Sequence, residues 1–143
     1  MKVYQKGDRI PVRAQQIWLI LTAHAVLKPA GKYKKKVGWS GWRPGLITFG
    51  DIADQMGMNR KAGVTLVRHV ALLGYYCQKN DLPPINVIAV NGGDGLLNEH
   101  AITTQGPDLD QKAVWEYNWF TLRPPTIREL TKIYEEKLAI SRS

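Results

Sequence analysis

One cysteine stands in this chain of 143 residues, and a lone thiol excludes an internal disulfide. Cys77 falls on the inward side of an apolar pattern, where it reads as a small core residue rather than a nucleophile. Long apolar runs are also missing. None approaches the roughly 20 residues that a membrane-spanning helix needs, so no membrane partner is expected. The opening MKVYQKGDRIPVR has no apolar signal-peptide core, which points to a cytoplasmic protein. Acids are scarce in the first half. Residues 1–79 hold three Asp/Glu against 14 Lys/Arg, a local charge of +11, whereas residues 80–143 hold nine acids against six Lys/Arg, or −3. That asymmetry favours a polyanionic partner for the first half. Length, a 44% hydrophobic fraction and a 22% charged fraction fit one globular domain, 1–143.

The most informative stretch is 46–97. Thr48 is a suitable N-cap and Asp51 stands where it completes a capping box, with Ile52, Ala53 and Met56 on the inward side of a short helix. Gly57 suits the left-handed close of that helix, and Asn59 can cap the next, expected over 60–79. There Leu66, Val67, Val70, Leu73 and Cys77 keep a 3–4 spacing. Ile85, Val87, Ile88 and Val90 are β-formers and predict a buried strand, closed by the turn signal NGGDG at 91–95. Cap, short helix, tight break, longer helix, strand and turn is the order of a winged helix-turn-helix. The predicted fold class is therefore mainly α with a small β wing.

From residue 17 to residue 97 the chain also resembles a family. ITFGDIADQMG is similar to the T-[YF]-G-[DE]-[LI]-A segment in the DNA-binding domain of O6-alkylguanine-DNA alkyltransferases and alkyltransferase-like proteins. Arg60, Gly63 and Leu66 match the R-x-x-G-x-x-L spacing of that family's recognition helix. LPPINVIAVNGGDG resembles its active-site segment, [IL]-P-C-H-R-V-V-N followed by D-G. Setting Val90-Asn91 on the family's V-N puts Asn86 at the cysteine and Val87 at the histidine, so both catalytic residues are absent. The resemblance implies a winged helix that binds duplex DNA without alkyl transfer, with Arg60 entering the base stack and a modified or extruded base as its target. No enzyme activity, cofactor or metal is expected. Asn86 either hydrogen-bonds a base edge or is an ordinary strand or turn residue.

Outside this core, residues 1–13 read as a basic arm and 98–143 as an extension ending in a helix. Residues 14–28 predict the first helix, with Ile17, Ile20, Leu21 and Leu27 in a buried stripe beside Trp18; His24 reads as structural. Segment 29–45 is an insertion relative to the family. It interleaves Lys32, Lys34, Lys35, Lys36 and Arg43 with Tyr33, Trp39 and Trp42, which gives phosphate contacts and a stacking surface, or else a basic loop whose tryptophans pack on the core. A β-hairpin there is also open. Lys61 and Arg68 join Arg60 as candidate groove contacts. The Gly-rich turn at 91–95 lacks the Lys-Ser/Thr and helix of a phosphate-binding loop. Glu99, His100, Asp108 and Asp110, in an expected loop over 98–111, lack metal-ligand spacing. Trp115, Trp119 and Phe120 are expected to cover the core. Thr126 and Glu129 predict a capped last helix over 126–140, with Ile127, Leu130, Ile133, Tyr134 and Leu138 as its apolar face.

Two other functions fit the same residues. One is a protein-interaction module acting on a nucleic-acid machine, anchored by the aromatic 115–120 segment or the last helix. The other is a binder of, or enzyme on, a nucleotide ligand that uses His24, His69 or His100, although no catalytic constellation stands out.

Overall fold

A computed structural model describes residues 9–28 and 45–138. Among them are five α-helices and a two-stranded sheet. In chain order these are α1 (Arg9–Leu27), β1 (Ile47–Thr48), α2 (Phe49–Gln55), α3 (Val67–Lys79), β2 (Ala89–Val90), α4 (Pro107–Glu116) and α5 (Ile127–Lys137). Short 3₁₀ turns at Arg60–Leu66, Ile85–Ile88 and Trp119–Thr121 join them.

Helix α1 begins five residues before the expected start. Pro11 sits in its first turn, where the missing N–H costs no intrahelical bond, so it does not break the helix. Residues 9–13 are thus helical rather than an irregular arm; the rest of the expected arm lies outside the described residues. Ala14, Ile17, Trp18, Leu21 and Ala25 are buried. Leu27, expected on that stripe, is 76% exposed. At about 100° per residue it lies about 130° round the helix from the stripe's centre.

Trp18 is the hub of the core. Its ring meets Tyr76 of α3 edge-on at 5.5 Å and Trp119 at 5.6 Å. Of the residues with that spacing, Leu66, Val70, Leu73 and Cys77 are buried and Val67 is half-buried, and Leu72 joins the core. Burial pushes the Cys77 thiol up to about 12, so the group stays a neutral packing residue near neutral pH. Helix α5 docks its Leu130 and Ile133 into the same core. It ends at Lys137, and Ile127 at its start is 38% exposed.

The sheet differs from the expected wing. β1 pairs with β2 in parallel, Ile47 opposite Ala89 and Thr48 opposite Val90. The turn at 91–95 does fold back: Asn91 N–H donates to Leu96 O at 2.8 Å and Gly95 N–H to Asn91 O at 2.9 Å. It returns only one antiparallel bridge, Val90 to Leu97. The expected strand over 85–90 is instead one 3₁₀ turn followed by two strand residues. Every residue from 85 to 90 is buried, so no alternation of burial marks a strand there, and β-propensity alone misleads.

The expected loop at 98–111 ends early. Gly106 turns the chain at φ +104°, and Pro107 then opens α4, as proline favours at the first helical position. Asp110 is buried and its carboxylate accepts the Thr104 and Gln105 N–H groups at 2.8 and 3.0 Å. Gln111 donates to Val87 O at 3.0 Å, tying α4 to the turn before β2. Trp119 is buried and Trp115 half-buried, but Phe120, expected to cover the core, is 66% exposed.

Candidate nucleic-acid interface

Local capping builds the α2 corner. Asp51 N–H donates to Thr48 Oγ1 at 3.0 Å, and Thr48 N–H points back to the Asp51 carboxylate. Two groups that the helix start leaves unpaired are thereby satisfied. Gly57 closes α2 at φ +75°, and Asn59 Oδ1 accepts the Lys61 N–H at 2.9 Å.

The segment after Asn59 departs from expectation. Residues 60–66 form a 3₁₀ turn, and only from Val67 is the chain α-helical. Gly63 supplies a reason. A Cβ there would stand 2.5 Å from the carbonyl carbon of Phe49 and 2.7 Å from the Gly50 nitrogen. The two backbones meet at the start of α2 with no room for a side chain. This is the close approach that Gly63 permits.

A three-residue period changes which side chains face outward. Arg60 shares a row with Gly63 and Leu66, both buried against the core side. Lys61 and Val64 share the outer row, and Val64 is 74% exposed. An α-helical reading of 60–79 gave no reason to single out Val64.

Arg60 lies against α2. Its Nη1 donates to Asp51 Oδ1 at 2.7 Å and to Asp54 Oδ2 at 2.5 Å. Two carboxylates therefore explain a cation at a helix start, where the dipole alone disfavours one. Arg68 is engaged at the far side of α3. Its Nη2 donates to Tyr134 Oη at 3.1 Å and to Leu138 O at 2.8 Å, with the guanidinium 5.5 Å from the Tyr134 ring centre. The C-terminal end of α5 thus receives a cation, which its unpaired carbonyls favour.

Asn86 is 1% exposed. Its Nδ2 donates to Ile102 O at 3.2 Å, while Oδ1 packs on Gly74, where a Cβ would come within 2.5 Å. Oδ1 meets no hydrogen-bond donor. The residue borders a crevice between Phe49, Val70, Ala89 and His100 with free space of about 10 Å³, the room of about one water. In this conformation its amide does not reach a surface where a base edge could lie.

The three histidines serve separate surroundings. His24 bonds Leu46 O at 2.9 Å, and burial holds its pKa below the usual value. His69 is buried with both ring nitrogens unpartnered; burial, and then the nearby Arg13, push its pKa down to about 4. His100 lies exposed 3.5 Å from Glu99. No group of three or more His, Cys, Asp or Glu able to hold a metal occurs among the described residues. Lys32, Lys34, Lys35, Lys36, Arg43, Tyr33, Trp39 and Trp42 lie outside the described residues. No described helix is long and apolar enough to cross a membrane.

Comparison of the chain with protein-family models, with characterised proteins and with solved structures finds no match in any of the three.

Proposed function

We propose that this protein binds duplex DNA without catalysing a reaction, through a winged helix-turn-helix formed by α2, the 60–66 turn and α3. The observation that carries this reading is the backbone contact of Gly63 on Phe49 and Gly50. It seats the Asn59-capped 60–66 turn tightly across the start of α2 and leaves Lys61, Val64 and Thr65 exposed on the outer side. In helix-turn-helix proteins that position enters the major groove. The first-half charge of +11 supplies the phosphate attraction, and the turn at 91–97 stands as the wing. The similarity to alkyltransferase-like proteins adds recognition of a modified or extruded base. Asn86 then takes part only after the segment at 98–102 moves aside, because its amide is packed beneath it.

Fluorescence anisotropy with labelled duplex, single-stranded and O6-methylguanine-containing DNA, over a salt series, tests the reading. Expected are preferential binding of duplex and a steep fall of affinity with salt. Lys61→Ala should weaken binding to all duplexes and lower the salt slope by about one. A preference for the modified duplex supports base recognition; equal binding of all duplexes leaves only groove and phosphate contacts. No binding at low salt sinks the proposal.

A second reading, capture of a protein partner by the C-terminal segment, is favoured by Phe120. It is a large aromatic, 66% exposed, next to the buried Trp119. Retained partner capture by a variant that has lost DNA affinity would select it.

A further inference from the structure

Arg60 opens the 60–66 turn, the part of the proposed helix-turn-helix set against the duplex, yet its guanidinium already has acidic partners. One nitrogen, Nη1, faces both Asp51 Oδ1 and Asp54 Oδ2. Among the described residues, two carboxylates thus share one guanidinium. The two acids have different duties. Asp51 is mostly buried and also serves the Thr48 cap. Asp54 is 48% exposed, as is Arg60, and its carboxylate takes no part in that cap. A phosphate reaching Arg60 from solvent arrives beside the Asp54 carboxylate, and like charges at that distance repel. An ion pair between two half-exposed side chains is weak, so it exchanges readily once a stronger acceptor comes.

We infer that Asp54 is an intramolecular competitor for DNA: its carboxylate occupies Arg60 in the free protein and is displaced by a phosphate of the duplex on binding. The inference rests on the DNA-binding reading and assigns regulation to the same site. Asp54 lowers affinity for every duplex, and only favourable interactions elsewhere on the interface overcome it. Such a device suppresses indiscriminate binding by a strongly basic chain, as an opposing charge does at other selective interfaces.

The test is anisotropy on a labelled duplex at about 50 mM salt, with wild type, Asp54→Asn, Asp54→Glu, Arg60→Ala and the Asp54→Asn/Arg60→Ala double variant. Thermal melts confirm folding, and the exposed Asp54 should change without unfolding the domain. Asp54→Asn is expected to tighten binding about two- to fivefold, the range for no longer having to break one exposed ion pair. In the Arg60→Ala background the gain should fall below about twofold, because the competed group is gone. Asp54→Glu, which keeps the charge, should bind like wild type. An equal gain in both backgrounds would show a general change in charge and overturn the inference. Unchanged binding by Asp54→Asn would show that Asp54 does not compete for Arg60, and weaker binding that it positions Arg60 for DNA; either overturns the inference. No binding by any form removes the DNA-binding reading itself, and the competitor with it.

Discussion

Helices α2 and α5 begin with the same local device. Thr48 with Asp51, and Thr126 with Glu129, form reciprocal capping boxes; the threonine oxygens accept at 3.0 and 3.1 Å, and the return bonds measure 3.5 and 3.0 Å. Their surroundings are opposite. Thr48 is buried, bridges β1 to α2, and has its acid partner drawn into an ion pair with Arg60. Thr126 and Glu129 stand in solvent. A cap's pattern is local, but its energetic weight is set by what packs over it. At α2 the cap helps hold a backbone-on-backbone crossing; at α5 it only trims the start of an amphipathic helix held by Leu130 and Ile133.

The severest way to break the α2 corner is Gly63→Ala. A Cβ 2.5 Å from the Phe49 carbonyl carbon forces the two backbones apart. We expect a loss of about 3 kcal/mol in urea unfolding, at the upper end for overpacking. Loss under about 0.5 kcal/mol would mean that the crossing tolerates separation. An alanine placed on the outward side of α5, at Lys132, should by contrast be close to neutral.

Acid should loosen the same half of the molecule. His69 is held neutral in the fold, with its pKa lowered to about 4 by burial and then by Arg13 on α1. Arg68, its neighbour on α3, lowers it further, and the Thr65 backbone opposes without completing a hydrogen bond. The unfolded chain takes up a proton near pH 6.5, where the folded one does not. This contribution is therefore complete above pH 6.5 and is lost as pH falls from there towards 4. At pH 5 the loss is about 2 kcal/mol relative to pH 8. His69→Leu should remove that part of the pH dependence in denaturant titrations at the two pH values. An unchanged slope would show that other groups carry it.

Smaller still is the difference between the caps. Thr48→Ala is expected to cost about 2 kcal/mol and Thr126→Ala about 0.5 kcal/mol, the two ends of the range for N-cap removal. Thermal melts of the two variants side by side check this. Equal shifts would mean that burial adds nothing to the cap.

Legibility from sequence followed the range of the interaction concerned. The Thr48 box, the Gly57 close, the Asn59 cap and the Thr126 box are formed by residues within four positions of one another, so spacing sufficed to find them. The interior placing of Leu66, Val70, Leu73 and Cys77 was readable because an α-helix repeats regularly. Segment 85–88 was misread because burial on all sides erases periodicity. Leu27 was misplaced because it lies about 130° round the helix from the stripe it was assigned to. The site was less legible than the fold. Arg60 and Lys61 were picked out as cations at an expected helix start and Arg68 as one two turns along it. Their partners were not, since Tyr134 and Leu138 lie 66 and 70 positions from Arg68. Val64 had no signal except the glycine before it, whose tight packing accompanies the change of helix period.

By itself the sequence determined where α2 and α5 begin, which face of α3 is apolar, the inward placing of Cys77 and the excess positive charge of the first half. These depend on backbone hydrogen bonds, propensities and composition, which act locally or simply add up. Tertiary structure alone decided that 60–66 winds as a 3₁₀ turn, that β1 and β2 run parallel, that Asn86 is packed on Gly74, and that Arg60 and Arg68 are held by the protein's own acceptors. Each of those depends on segments brought together by burial of a common core. Contacts of that kind are selected by shape and desolvation across the whole chain.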